Sequence, residues 1–337
     1  MGGFLLSFNK VDSNVDLSLF DINSRRKSAE KFGFNEESNT RNIKVNHAMK
    51  IVNQQWKLLG LRPRTIDSYN YNFSKFVEVT NVVYLHEINN DKIYEYLSSF
   101  KDVRDTTLKG RLKQISAVLA RFYDNGWLAS VFWKSIKIKV DTPLKEAATE
   151  KELSLLISLL DKSTFSGFRD SIAILLLYKT GIRIKTLGLL REKNIDFESK
   201  TLILPGEIMK SHRTLMLPLD DDICALLKEL ISVNNDIRKE HRQKNDYIFV
   251  SNVGIPISNS VSPSNLISKN LWMYSKRWGL KNVNPHSIRR LYGQNLLKRG
   301  ADVNLISHAY GHSDLSTTSR YLGLDTSTVV RNLRDYL

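Results

Sequence analysis

Residues 306–324 read ISHAYGHSDLSTTSRYLGL, and polar side chains occupy positions that an amphipathic helix would give to apolar ones. Gly311 interrupts the segment, His312 follows it, and Tyr321 stands nine residues further on. His308 and His312 make an H-x-x-x-H pair, which raises a zinc site. The glutamate of H-E-x-x-H is absent, however, and Gly311 predicts a helix end between the two histidines. No metal is expected from this pair.

Moving outward, residues 284–300 read NPHSIRRLYGQNLLKRG. Pro285 suits a first helical turn, and His286 and Arg289 at i and i+3 share one helix face. An imidazole and a guanidinium side by side both donate to phosphate oxygens. Further upstream, TGIRIKTLGLL (180–190) puts Arg183 just after Gly181-Ile182, where a new helix is predicted to begin. Between these segments TLILP (201–205) and TLMLPL (214–219) alternate like strands, and GEIMKSHR between them reads as an exposed basic hairpin turn holding Lys210. Each piece alone has an ordinary reading: an arginine pairing a carboxylate, a solvated turn lysine, a tyrosine packed on a helix.

In order and spacing, TGIR, the hairpin lysine, H-x-x-R, GH and a tyrosine nine residues on resemble the tyrosine recombinase, or lambda-integrase, family. The likeness covers about residues 150–325, and GHSDLSTTSRY looks most like Xer-type and transposon-resolvase members. The resemblance implies that Arg183, Lys210, His286, Arg289 and His312 surround a scissile phosphate, with Tyr321 as nucleophile. It implies a site-specific DNA recombinase that breaks and rejoins strands through a 3′-phosphotyrosyl link and a Holliday junction. The implied partners are double-stranded DNA with paired sites and three further copies of the chain. One position departs from the family: an acidic residue usually stands three places after the first arginine, and here it is Thr186.

The chemistry fits the residue types. Charge gathers on nonbridging phosphate oxygens during attack, and fixed guanidinium and imidazole donors stabilise it. A phenol, with a pKa of about 10, needs nearby cations and a base, for which His286 is the candidate. The leaving deoxyribose oxygen needs a proton, which a lysine on a hairpin can deliver, and that role falls to Lys210. Because the phosphotyrosine keeps the bond energy, no nucleotide cofactor is expected.

The rest of the chain agrees. With 337 residues and 42% hydrophobic content it is predicted to fold as two domains. A net charge of +15 favours a polyanionic partner. The single cysteine, Cys224, leaves no intramolecular disulfide and reads as a small buried hydrophobe. The opening MGGFLLSFNK lacks a secretory pattern, and its Gly2 is no more than a loose match to a myristoylation signal, so a cytoplasmic protein is expected.

The fold class is mainly α. Residues 1–44 read as an extension of mixed polarity and 45–140 as an all-helical, DNA-clamping core-binding domain. A linker at 141–149 leads to a catalytic domain over 150–337, α-rich with a small antiparallel β-sheet. A last helix at 326–336 carries an apolar stripe that the resemblance docks onto a neighbouring protomer. Helices are also expected at 221–233, 263–278, 286–299, 302–309 and 314–321. In the first domain Lys109, Arg111, Lys113, Arg121, Lys134, Lys137 and Lys139 are opposed only by Asp105 and Asp124 across 105–139, which makes them the candidate DNA contacts.

Two other classes compete. A DNA-binding protein that keeps this fold without catalysis would bind tightly, in a salt-sensitive way, and never cleave. A monomeric type IB topoisomerase would relax plasmid of arbitrary sequence, but the two-domain size and the GHSDLSTTSRY match favour the recombinase.

Overall fold

The computed structural model describes residues 42–141, 145–259 and 266–311, together with Thr318 and Leu322. The expected extension at 1–44 falls almost wholly outside these residues, as do the expected helices at 314–321 and 326–336. The chain divides into two compact units between Thr142 and Pro143.

The first unit is helical. Its elements are α1 (Val45–Leu58), α2 (Pro63–Thr80), α3 (Asn90–Ser98) and α4 (Asp105–Asp124). Pro63 opens α2, where its missing N–H costs nothing, and Asn81 closes it in the left-handed conformation. Leu112, Ile115, Val118, Leu119 and Phe122 form the buried stripe of α4 at helical spacing. That stripe meets an aromatic core, with Phe73 edge-on to Phe122 at 5.5 Å and Phe76 edge-on to Tyr96 at 5.6 Å between ring centres.

The second unit is built around α6 (Phe165–Thr180), preceded by α5 (Glu150–Leu159) and followed by α7 (Ile184–Gly188). Thr149 and Glu152 cap α5 reciprocally. Helix α6 is buried nearly all round, which explains its long apolar run. Around it lie α8 (Asp221–Glu240), α9 (Leu266–Arg277) and α10 (Pro285–Lys298), with α11 (Val303–Tyr310) packed on α10.

A three-stranded antiparallel sheet runs β1 (Ile195–Asp196), β2 (Thr201–Leu204), β3 (Leu215–Pro218). Leu204 pairs with Leu215 at the start of the 205–214 turn. Strand β1 has only two residues, too few to leave an alternating pattern in the sequence.

Helix α8 corrects the expected end at residue 233, since it continues to Glu240. The apolar period stops there but burial does not, because polar residues that find partners take over. Asn234 donates to the Ile248 carbonyl at 2.7 Å, and Arg238 reaches Glu192 at 2.7 Å.

One buried charge pair organises the unit. Arg169 and Asp170 are each 1% exposed. Asp170 Oδ1 accepts from Arg169 Nε and Nη2 at 2.8 and 2.7 Å, and Oδ2 accepts from Asn270 and Tyr274 at 2.7 and 2.8 Å. Arg169 Nη1 donates to the Val250 carbonyl at 3.0 Å. The carboxylate is therefore satisfied on both oxygens and ties α6 to α9.

Candidate active site

Gly181 ends α6 in the left-handed conformation, with φ +62°. A Cβ there would lie 2.2 Å from the Tyr292 ring, so only glycine lets α10 pack this closely. The chain then turns through Arg183, which is half-buried in extended backbone immediately before α7.

Helix α10 begins where the sequence places it. Asn284 Oδ1 accepts from the backbone N–H groups of His286 and Ser287 at 3.1 and 3.0 Å, and Ser287 Oγ accepts from Asn284 N–H at 2.9 Å. This fixes the first turn, which presents His286. One turn on, Arg289 is 3% exposed.

The Arg289 guanidinium joins three segments. Nη1 donates to the Gly181 carbonyl and Nη2 to the Tyr310 carbonyl at 2.8 Å. The guanidinium carbon also lies 4.3 Å from the Tyr310 ring centre, and the Tyr310 hydroxyl donates to the Arg289 carbonyl at 2.6 Å. The turn before Arg183, the H-x-x-R helix and the turn before His312 therefore meet at one planar group. Gly311, with φ +59°, ends α11 between His308 and His312, where the sequence predicts a break.

His312 and Tyr321 lie outside the described residues. Leu322, next in sequence to Tyr321, is 3% exposed and packs with Ile306 and Tyr310.

The surroundings of His286 are strongly positive. Desolvation of the ring first, then the charges of Arg290, Arg289, Lys145 and Arg183, hold its pKa below the ordinary 6.5, although water still reaches part of the residue. Lys145 and Arg290 are members that sequence reading missed. Arg290 is visible as the second arginine of IRR, and its Nη1 donates to the Glu146 carbonyl at 3.0 Å. Lys145 reads as linker in the sequence; it comes near because residues 146–148 are hydrogen-bonded along α10, through Ala148 N–H to Ser287 O at 3.1 Å.

Lys210 is exposed in the turn between β2 and β3. Thr186, where the family carries an acid, is 2% exposed and turned toward that same hairpin: its Oγ1 donates to the Ile208 carbonyl at 3.4 Å.

In the first unit, Lys113, Lys134 and Lys137 line one groove of about 450 Å³, with Ser116, Ala117 and Trp133 between them. Lys109 and Lys139 are exposed, and Arg121 is paired loosely with Asp124 at 3.4 Å. Arg111, also expected to contact DNA, is half-buried. Its guanidinium lies 3.9 Å from the Phe100 ring centre and donates to Asn72 at 3.0 Å, so it holds α4 to its neighbours. Those partners are distant in sequence, so charge counting alone could not reveal them.

The profile of the phage integrase family matches residues 146–327. The chain is 26% identical to tyrosine recombinase XerA of Pyrococcus horikoshii over 83% of this chain and 88% of that protein. It is 24% identical to tyrosine recombinase XerC of Roseiflexus castenholzii over 79% and 85%. Its fold is similar to that of the Tn1549 transposon integrase in complex with a circular intermediate DNA, with TM-score 0.67, 14% identity and 86% and 99% coverage. It is also similar to a lambda integrase tetramer bound to a Holliday junction, with TM-score 0.64, 15% identity and 92% and 87% coverage. The chain belongs to the phage integrase family and is a site-specific DNA recombinase. Among the described residues, no helix is long and apolar enough to cross a membrane.

Proposed function

We propose that this chain exchanges DNA strands at paired sites by transferring the scissile phosphodiester to Tyr321. The Tyr321 oxygen attacks phosphorus, the bond to the 5′ oxygen breaks, and a 3′-phosphotyrosyl link forms. His286 accepts the phenolic proton, and Lys210 gives a proton to the departing 5′ oxygen. Arg183, Arg289 and His312 donate to the nonbridging oxygens as negative charge grows there. Attack by a 5′-hydroxyl from the partner duplex reverses these steps, so the phosphate bond is conserved throughout. Two such rounds, in a tetramer assembled on DNA, make and resolve a Holliday junction. The exposed lysines of the groove on α4 hold the duplex backbone, with Lys109, Arg121 and Lys139 around them.

The observation that carries this reading is the clasp at Arg289, whose guanidinium bonds the carbonyls of Gly181 and Tyr310. A depressed His286 pKa supports its role as acceptor, since the imidazole is neutral at pH 7. Arg289→Lys keeps the charge but loses the planar fork. On a nicked suicide substrate its rate of covalent adduct formation should fall at least ~100-fold, with DNA affinity retained. Adduct formation at the wild-type rate would contradict the assignment.

A further inference from the structure

Lys210 stands on an exposed turn, yet the residue before it is held. Met209 is 3% exposed and belongs to the core of the second unit. Its Sδ lies 4.0 Å from the Thr186 hydroxyl, and that hydroxyl donates to the carbonyl of Ile208, one residue back, at 3.4 Å. On the other side stands Gly311. A Cβ built on Gly311 would come within 2.9 Å of Met209 Cε, 3.5 Å of Leu215 Cδ2 and 3.8 Å of Ser211 Oγ. The turn is also folded on itself: Met209 N–H donates to Gly206 O at 3.2 Å, and His212 N–H to Met209 O at 3.4 Å. Met209 is thus wedged between the helix that follows Arg183 and the turn that leads to His312.

We propose that Met209, fastened by Thr186, is a positioning residue that sets the reach of Lys210 toward the leaving oxygen. A lysine has four rotatable side-chain bonds, and on an untethered hairpin its ammonium samples a wide volume. Proton delivery needs hydrogen-bond distance at the moment of bond breaking, and a displacement of about 1 Å can cost ~100-fold. An unbranched thioether suits the irregular gap between α7 and the turn at Gly311. Thr186 in place of an acid then has a task of its own: its hydroxyl bonds the hairpin, which a carboxylate, having no proton to donate at neutral pH, would not do.

The proposal rests on Lys210 being the proton donor, and the test separates the two claims. Cleavage is timed on two suicide substrates, one with the ordinary 5′ oxygen and one with sulfur at the bridging 5′ position. A thiolate leaves without a proton, so sulfur removes the need for the acid. Met209→Ala should slow cleavage of the oxygen substrate about tenfold or more, Thr186→Val severalfold, and both should cleave the sulfur substrate within about twofold of wild type. Met209→Leu, which keeps volume, should restore the oxygen rate. Equal losses on both substrates, or no loss on oxygen, would overturn the anchor. Thr186→Val is nearly isosteric, so it keeps the test decisive if Met209→Ala loses its melting transition. Lys210→Ala is the internal control. If sulfur restores Lys210→Ala but not Met209→Ala and Thr186→Val, the anchor alone fails. If sulfur does not restore Lys210→Ala, the acid assignment fails and the anchor's purpose with it.

Discussion

His286 shows how a single residue reads its surroundings. Partial desolvation and four nearby cations disfavour the imidazolium, so the folded pKa lies below the ordinary 6.5. The unfolded chain therefore takes up the proton first as pH falls. Stability from this group is complete above pH 6.5 and is lost as pH falls from 6.5 through the folded value. In the DNA-free protein an NMR titration of the His286 ring should give a midpoint below 6.5, and a midpoint at or above it would contradict the cationic setting. Gly181 is a second case. Gly181→Ala meets both a positive φ and the Tyr292 ring, so it should destabilise by at least ~1 kcal/mol, measured by urea unfolding. The motif residues were legible because each stands where apolar periodicity fails. Lys145 was not, because only the hydrogen bonding of 146–148 along α10 brings it near.

Among the elements, the buried Arg169–Asp170 pair holds α6 to α9 and to the segment at Val250. Asp170→Ala would leave a guanidinium 1% exposed without its counter-charge and should cost roughly 3–5 kcal/mol. Denaturant unfolding measures this, and a cost under about 1 kcal/mol would show that the pair is not a structural tie. Helix α4 could be read from the spacing of its stripe, and α6 from its unbroken apolar run. The second half of α8 could not, because buried Asn234 and Arg238 look like surface residues until Ile248, Glu192 and Tyr247 supply their partners. Strand β1 is shorter than any period that could announce it.

For the whole molecule, charge and division into two units matter most. DNA binding by a chain of net charge +15 should weaken strongly as salt rises. Replacing Lys113, Lys134 and Lys137 with alanine should lower the slope of log affinity against log salt by ~0.9 for each phosphate that is no longer neutralised. Arg111→Ala should leave that slope unchanged and lower the melting temperature, since its partners are Phe100 and Asn72. A slope change in Arg111→Ala of the size seen for a groove lysine would show that Arg111 also neutralises a phosphate. The two-unit organisation was legible in the length of the chain, whereas the half-buried setting of Arg111 depended on three-dimensional packing.

The proposed strand exchange turns on Tyr321 carrying the DNA. Protein trapped on a suicide substrate, digested with trypsin and nuclease, should yield one nucleotide-modified peptide with the mass added at Tyr321, and Tyr321→Phe should yield none while still binding DNA. A modified peptide centred on any other residue, or an undiminished adduct in Tyr321→Phe, would contradict this chemistry.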